Sequence, residues 1–244
     1  MERQERNVPL EIVRGAFTAL FMPLSWAAGL PRAAAMLIRR ARSPEERNAS
    51  AARARFNTAS WTLELLKHLE WRRFEELCAA YFEALGFTAE ISHSRASGAV
   101  DIGLCAAGAD KAAIIVHCVP WNAYRVGIQP VRELRAAMTS AGAVEGVLAT
   151  SSRFTREAVA LAAKENVQLI DGAELLAKLA ALAPEKSHGL LEFATQGDFL
   201  TPTCPRCSIK MTSRRSTHEG RKFWGCPNYP RCKQTLYSTA NAPA

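Results

Sequence analysis

Residues 98–121, GAVDIGLCAAGADKAAIIVHCVPW, contain the features that decide the fold. An apolar run over residues 99–104 and a β-branched run over residues 112–118 are separated by a Gly-rich turn, and this pattern predicts two buried strands of a hairpin. The second strand is expected to end at Pro120, which cannot donate a hydrogen bond to a neighbouring strand. Asp101 is then an acid inside a buried strand, and burial of a charge requires an explanation.

Helices and strands are predicted on both sides of this hairpin. Apolar residues recur at intervals of three and four from Leu63 to Leu85 and stop before Gly86, which is typical of a helix that buries one face. A first strand is expected over residues 88–93, and residues 129–182 alternate three helical patterns with two strands. The order predicts an α/β fold, a mixed sheet flanked by helices.

These segments together resemble the Mrr-like restriction endonucleases of the PD-(D/E)xK superfamily. The resemblance covers roughly residues 70–182 and implies a restriction-endonuclease-like fold. It rests on the helix WRRFEEL (71–77), the hairpin, and the segments GVLATS (146–151), FT (154–155) and LIDG (169–172).

The resemblance implies a divalent-metal site for DNA cleavage, with Mg²⁺ or Mn²⁺ as the ion. Glu75 matches the family's helix glutamate and Asp101 matches its metal-binding aspartate. The family's second strand ends in Gln-x-Lys or Glu-x-Lys, and here His117 aligns with the Gln or Glu and Val119 with the lysine. The carboxylates hold the ion that polarises the scissile phosphate, while the lysine orients or deprotonates the attacking water. Valine does neither, so the predicted site is degenerate.

Two functions follow from this pattern. In the first, the core binds DNA while phosphodiester hydrolysis is weakened or lost, because loss of a catalytic group commonly costs orders of magnitude in rate. In the second, the chain is an active metal-dependent endonuclease of the type IV restriction kind. It then uses Glu75, Asp101 and His117, together with an arginine such as Arg125. Imidazole is a poorer ligand than oxygen for Mg²⁺, and the first function is favoured.

Four cysteines near the C-terminus have the spacing of a metal site. They form a C-x2-C pair, an eighteen-residue spacer and a C-x5-C pair. Four thiolates at this spacing predict a tetrahedral structural Zn²⁺ site, and a module of about 40 residues is too small to fold around an apolar core alone. Two disulfides are the alternative, disfavoured in a reducing cytoplasm. The predicted ligands are Cys204, Cys207, Cys226 and Cys232.

The same segment is similar to the C-terminal zinc fingers of bacterial type I topoisomerases, through CPRC (204–207), Met211, FWGC (223–226) and NYPRC (228–232). Such ribbons bind DNA, often single-stranded, so the resemblance implies DNA as the partner. The residues agree, because aromatic rings that can stack on bases alternate with basic side chains that can contact phosphates. The candidate DNA-binding residues are Arg214, Arg215, Arg221, Lys222, Phe223, Trp224, Tyr229, Arg231 and Lys233.

Charge and composition fit a nucleic-acid partner. The formal net charge is +8, and residues 200–244 carry eight Lys or Arg against one Glu. This distribution predicts that a polyanion is reached mainly through the C-terminal module. The odd count of seven cysteines and their metal-like cluster indicate the cytoplasm. The expected domains are an N-terminal helical segment with a polar linker (1–60), the nuclease-type domain (61–183), a linker (184–200) and the zinc ribbon (201–239).

The N-terminal segment contains seventeen residues without a charge, from Gly15 to Pro31. A membrane-spanning helix needs about 20 apolar residues, and Pro23 would kink it, so a packed or amphipathic helix pair over residues 15–38 is favoured. In the alternative, this segment anchors the protein in the inner membrane, and the arginines that follow it keep the C-terminal domains in the cytoplasm.

Overall fold

A computed structural model describes residues 44–93, 100–106, 111–119, 125–216 and 220–237. The predicted N-terminal helical segment, including residues 15–38, lies outside these ranges. Within them, no helix is both long and apolar enough to cross a membrane.

The described chain forms helices and strands close to the predicted positions. The helices are α1 (Pro44–Arg55), α2 (Leu63–His68), α3 (Trp71–Ala84), α4 (Ile128–Ala141), α5 (Arg156–Ala162), α6 (Gly172–Ala180) and α7 (Pro184–Ala194). The strands are β1 (Thr88–His93), β2 (Val100–Cys105), β3 (Ile114–Val119), β4 (Arg125–Val126), β5 (Glu145–Thr150), β6 (Arg153–Phe154), β7 (Val167–Ile170), β8 (Thr212–Arg215), β9 (Lys222–Gly225) and β10 (Thr235–Leu236).

The centre of the fold is a five-stranded mixed sheet with the order β1-β2-β3-β5-β7. Strands β1, β2 and β3 are antiparallel neighbours, which includes the predicted hairpin, whereas β3, β5 and β7 run parallel. Helices α4 and α5 lie in the connections between the parallel strands. The predicted α/β class, a mixed sheet flanked by helices, is confirmed.

The two faces of the sheet contact different apolar clusters. On one face, Ile102 and Val116 pack with α2, α3, α6 and α7, which we call the α3-side cluster. On the other face, Ile115 packs with α4 and α5, which we call the α4-side cluster. Because successive residues of a strand point to opposite faces, Asp101 and His117 belong to the α4-side face.

The predicted helical pattern from Leu63 to Leu85 is interrupted in the structure. Glu70 has an extended backbone, with φ −63° and ψ 154°, and separates α2 from α3. Its side chain accepts a hydrogen bond from the Arg72 amide at 3.2 Å, which caps α3. Its own amide donates to the Phe199 carbonyl at 2.9 Å. A contact distant in sequence therefore ends the first helix.

The segments expected to be linkers contain buried apolar side chains. In the segment 184–200, α7 buries Leu190 against the α3-side cluster, and Phe199 is fully buried there. Within the segment expected to link the N-terminus to the core, Ala52 and Phe56 enter the same cluster. Both segments thereby remove apolar side chains from water and contribute to the stability of the core.

The C-terminal module is a three-stranded antiparallel sheet with the order β10-β9-β8. An isolated bridge between Thr203 and Lys210 precedes it. Its apolar cluster is small and consists of the four cysteines together with Met211, Trp224 and Leu236. The predicted small ribbon with clustered cysteines is confirmed.

Candidate functional site

Asp101 and His117 meet at the end of the central hairpin. They are direct cross-strand partners in the β2–β3 ladder, and His117 Nδ1 lies 2.8 Å from Asp101 Oδ1. Antiparallel partners point to the same face of a sheet, so both side chains lie on the α4-side face. The structure thus brings together two of the residues that the resemblance assigns to the site.

The geometry of this pair defines the state of the imidazole. The His117 side chain is 6% exposed and the Asp101 side chain is 23% exposed. An ionised carboxylate only accepts hydrogen bonds, so whenever Asp101 is ionised this contact requires Nδ1–H as the donor, and a neutral imidazole then has its lone pair on Nε2. Within the part of the chain that the structure describes, no hydrogen bond to Nε2 is present. The pair can therefore orient Nε2 to accept a proton or to ligate a cation.

Val119 is the residue that the resemblance aligns with the family's lysine. It lies on the same face as His117 and packs, partly buried, against the α4-side cluster. Its ladder partner is Thr150 at the end of β5. Thr150 is fully buried, and its Oγ1 accepts a hydrogen bond from the Ser152 amide at 3.1 Å. The C-terminal ends of β3 and β5 therefore present, at this pair of residues, an apolar side chain and a hydroxyl that already forms a hydrogen bond, and no charged group.

Glu75 lies on α3, the helix that packs on the opposite face of the sheet from Asp101 and His117. Its residue is 5% exposed. Burial raises the pKa of Glu75 to about 8, the nearby charge of Glu70 adds to this, and Arg72 opposes it. Glu75 is then mostly protonated at neutral pH, and a neutral carboxyl is a poor ligand for a divalent cation.

The thiol between His117 and Val119 belongs to the core. Cys118 points to the α3-side cluster and approaches Cys78 of α3. Interaction with the Cys78 thiol and burial raise the pKa of Cys118 well above its usual range. Both side chains are almost fully buried. Both are core thiols, in agreement with the low reactivity expected of cysteines in apolar surroundings.

The four cysteines of the ribbon converge on one point. Their Sγ atoms all lie within 4.8 Å of one another, and those of Cys204 and Cys232 are 3.8 Å apart. Four thiolates at about 2.3 Å from Zn²⁺ in a tetrahedron are separated by about 3.8 Å. The donor type and the separation therefore fit Zn²⁺. Among the described residues, this is the single group of three or more such ligands.

The ribbon surface combines basic and aromatic side chains. Arg214 and Phe223 are cross-strand partners, and the Arg214 guanidinium lies 5.9 Å from the ring centre of Tyr229. Tyr229 is 61% exposed. Trp224 instead packs against the cysteine cluster. Of the candidate DNA-binding residues, Phe223 and Trp224 are half-buried, and the exposed ones are Arg214, Arg215, Arg221, Lys222, Tyr229, Arg231 and Lys233.

The ribbon is fixed to the N-terminus of α3. Glu70 accepts hydrogen bonds from the Thr203 amide at 3.1 Å, from the Thr203 hydroxyl at 2.9 Å and from Lys210 Nζ at 3.1 Å. Trp71 Nε1 donates to the Thr203 carbonyl at 2.7 Å. This role of Glu70 could not be recognised from the sequence. Its only signal was a lone acid between two apolar helical stretches, a pattern shared by many solvated side chains.

Comparison with family models agrees with this two-part architecture. Residues 66–179 match the model described as restriction endonuclease, and residues 201–241 match the topoisomerase DNA binding C4 zinc finger. The chain therefore combines a nuclease-type domain with a zinc ribbon. Its core is similar to the restriction-endonuclease domains of the Mrr-like family over somewhat less than half of the chain, and its C-terminal module is similar to topoisomerase-type C4 zinc fingers.

Three solved structures with partial similarity are distant in sequence from this chain. EndoMS in apo form shares 18% identity over 41% of this chain and 44% of that one, with a TM-score of 0.34. The DNA modification-dependent restriction endonuclease AspBHI shares 19% identity over 61% of this chain and 40% of that one, with a TM-score of 0.36. The MspJI restriction endonuclease in complex with a 27-mer oligonucleotide shares 22% identity over 59% of this chain and 34% of that one, with a TM-score of 0.34. The chain thus spans less than half the length of each. No curated protein matches the chain.

Proposed function

We propose that the chain is a DNA-binding protein in which the zinc ribbon delivers a restriction-endonuclease-type core to DNA, with phosphodiester hydrolysis weakened or lost. One observation carries this proposal. At the edge where the family places its catalytic groups, Asp101 is hydrogen-bonded to His117 at 2.8 Å, and Val119 packs in an apolar cluster.

The weakened hydrolysis follows from the charges that this edge can supply. Two carboxylates and a lysine would stabilise the ion and the attacking water. Here one carboxylate oxygen of Asp101 is hydrogen-bonded to His117. Glu75 sits on the helix of the opposite face with its pKa raised to about 8 by burial. Val119 carries no charge. One carboxylate and one imidazole are a weak donor set for Mg²⁺, which prefers oxygen ligands.

The ribbon supplies the contact with DNA in this proposal. Its four thiolates would hold Zn²⁺, which supplies the free energy that folds a module with so small an apolar cluster. The exposed arginines and lysines can then contact phosphates, and Tyr229 presents an open ring for stacking on a base. A preference for single strands is part of the proposal, because stacking requires unpaired or splayed bases.

The cytoplasm is the proposed location. All seven cysteines are free thiols. Four of them form the metal site, and a reducing compartment preserves thiolate ligands from oxidation.

A second candidate is an active endonuclease, and the Asp101–His117 pair itself favours it. Asp101 holds the imidazole so that Nε2 can accept the proton of an attacking water. Asp101 would also bind Mg²⁺ or Mn²⁺, which would polarise the scissile phosphate. Glu75 could take part only after losing its proton. An exposed arginine such as Arg125 would replace the missing positive charge.

The two candidates are separated by nicking of supercoiled plasmid, methylated and unmethylated, with Mg²⁺ or Mn²⁺. We would compare the zinc-loaded wild type with Asp101→Ala, Val119→Lys and the double variant His117→Gln/Val119→Lys, which rebuilds the family motif. Val119→Met is the matched control, because it adds comparable length without an amine.

The proposal expects a gel shift without cutting by the wild type, and cleavage by the lysine variants that Val119→Met does not reproduce. Nicking by the wild type that Asp101→Ala abolishes would establish the second candidate instead. Absence of any DNA binding, on duplex or single-stranded DNA, would refute both.

A further inference from the structure

Arg125 and Arg153 stand side by side beyond the C-terminal edge of the sheet. They are paired positions in the short parallel ladder of β4 and β6. The residues that follow them, Val126 and Phe154, pack inward against the α4-side cluster. Because strand residues alternate between faces, both arginines point outward, and both are exposed.

This placement of two like charges is unfavourable for the fold alone. Neighbouring strands lie about 4.8 Å apart, and like charges directly opposite each other destabilise a ladder. Among the described residues, no acidic side chain forms an ion pair with Arg125 or Arg153. A bound anion would remove the repulsion and would use both guanidinium groups.

The surroundings of the ladder are also suited to an anion. Helix α4 begins directly after it, at Ile128, with no side-chain cap and no acid in its first turn. Arg156 opens α5 and is exposed. The nearest acid in sequence is Glu157. Hydrogen bonds from its own amide and from the Thr155 hydroxyl lower the pKa of Glu157, so this carboxylate is engaged at the start of α5.

The ladder is connected to the Asp101–His117 pair by a short path through β5 and β3. Arg153 follows Thr150 by three residues, a span of at most about 11 Å. Thr150 is the ladder partner of Val119, which is two residues from His117. Phosphates recur every 3.4 Å of axis rise along one strand of B-DNA, roughly, so one backbone segment can contact the arginines and the pair together.

We propose that Arg125 and Arg153 form a phosphate clamp, a second DNA-contacting surface that holds the sugar–phosphate backbone beside the Asp101–His117 edge. Guanidinium groups bind phosphate oxygens in a bidentate manner, and such contacts position a protein on DNA without reading its sequence. The clamp rests on the proposed function, because it takes DNA as the ligand. It adds a contact on the core, separate from the ribbon.

The test is fluorescence anisotropy of the full, zinc-loaded chain with a labelled short duplex and a single-stranded oligonucleotide, at several salt concentrations. Arg125→Gln/Arg153→Gln is compared with Arg132→Gln/Lys164→Gln. The control removes the same charge from exposed positions on α4 and just after α5. We expect Arg125→Gln/Arg153→Gln, the clamp variant, to bind duplex DNA roughly tenfold more weakly than the wild type. Its salt slope, the slope of log binding constant against log salt concentration, should become shallower by about 1.8, the value for two lost phosphate contacts.

Further variants keep the outcomes distinct. Arg125→Lys/Arg153→Lys should recover the salt slope and only part of the affinity, since lysine keeps the charge without the bidentate fork. If the clamp variant binds like its control while Arg214→Gln/Arg231→Gln binds weakly, the clamp is wrong and the proposed function stands. If the wild type binds neither oligonucleotide, both fail. Circular dichroism melts verify that each variant is folded.

Discussion

Glu70 and Lys210, 140 residues apart in the chain, form an ion pair with a separation of 3.1 Å between Oε1 and Nζ. The Glu70 side chain is 3% exposed, and its remaining acceptor capacity is used by Thr203 and by the first turn of α3. These donors satisfy the hydrogen-bonding capacity of a buried carboxylate, which would be costly to leave unpaired. The contact therefore holds the ribbon in a defined place on the nuclease-type core.

Replacing Glu70 should loosen this contact. Glu70→Ala leaves Lys210 and the Thr203 amide without an acceptor, so we expect a loss of about 3 kcal/mol in the free energy of unfolding, measured by urea denaturation. Glu70→Gln keeps an acceptor and should lose about half as much. The exposed Glu192 provides the control Glu192→Ala, which should change stability by less than about 0.5 kcal/mol.

Limited proteolysis gives the second readout for this contact. Cleavage in the segment between α7 and the ribbon should accelerate in Glu70→Ala and stay unchanged in Glu192→Ala. Equal proteolysis of both variants would mean that the ribbon does not depend on Glu70 for its position.

The contact also marks a limit of sequence reasoning. The hairpin could be predicted because β-branched runs and a Gly-rich turn are local signals, and the metal site because the spacing of its cysteines is specific. The break at Glu70 could not, since its cause is the Phe199 carbonyl and Thr203 of the ribbon, both far away in the chain. Local periodicity favours a continuous helix, and tertiary hydrogen bonds overrode it.

The relation of Glu75 to Asp101 was hidden for a different reason. A motif gives the order of residues along the chain, whereas the face on which each side chain lies depends on how a helix is rotated against the sheet. Because side chains alternate between the two faces of the sheet, the register of β2 and β3 is enough to place Asp101 and His117 on the same face. The burial of Glu75 on α3 depends on the whole α3-side cluster.

Removal of the metal should unfold the ribbon and leave the core folded. The ribbon cluster is separate from the two clusters of the core and consists mostly of the cysteines. A chelator or Cys226→Ser should expose Trp224, seen as a shift in fluorescence, and should permit tryptic cleavage at Arg214 and Arg231. Far-ultraviolet circular dichroism of the core should persist. A ribbon that stays protease-resistant without zinc would contradict this expectation.

Glu75 should make stability depend on pH. Its folded pKa, about 8, lies above the ordinary 4.5 because burial disfavours the charge. When the pKa of an acid is higher in the folded state than in the unfolded state, its contribution to the stability of the fold is fully present at a pH below the unfolded-state pKa. That contribution is lost as the pH rises from about 4.5 to about 8. At about 1.4 kcal/mol per pKa unit, the full loss is roughly 5 kcal/mol, and Glu75→Gln should remove it. Urea unfolding at several pH values measures the effect.

Glu83 on the same helix is exposed and provides the control for this prediction. Glu83→Gln should leave the wild-type pH dependence unchanged. Millimolar Mg²⁺ adds a test of the second candidate function. If Glu75 ligates the ion, Mg²⁺ should restore stability near pH 8 in the wild type and not in Glu75→Gln. A flat pH profile in the wild type would show that Glu75 is not buried as described.

Gly172 should be intolerant of any side chain. A methyl group built on it would lie 2.4 Å from the Ser151 carbonyl oxygen and 2.9 Å from Leu63 Cδ1. The oxygen belongs to the backbone just after β5 and cannot rotate away, so we expect Gly172→Ala to lower the free energy of unfolding by about 3 kcal/mol.

Gly189, inside α7, provides the control, because no atom lies within 4 Å of a methyl group built on it. Gly189→Ala should therefore stabilise by about 0.5–1 kcal/mol, because alanine loses less backbone entropy. Equal unfolding midpoints for the two variants, measured by thermal melting, would contradict the close approach of α6 to the edge that carries Thr150.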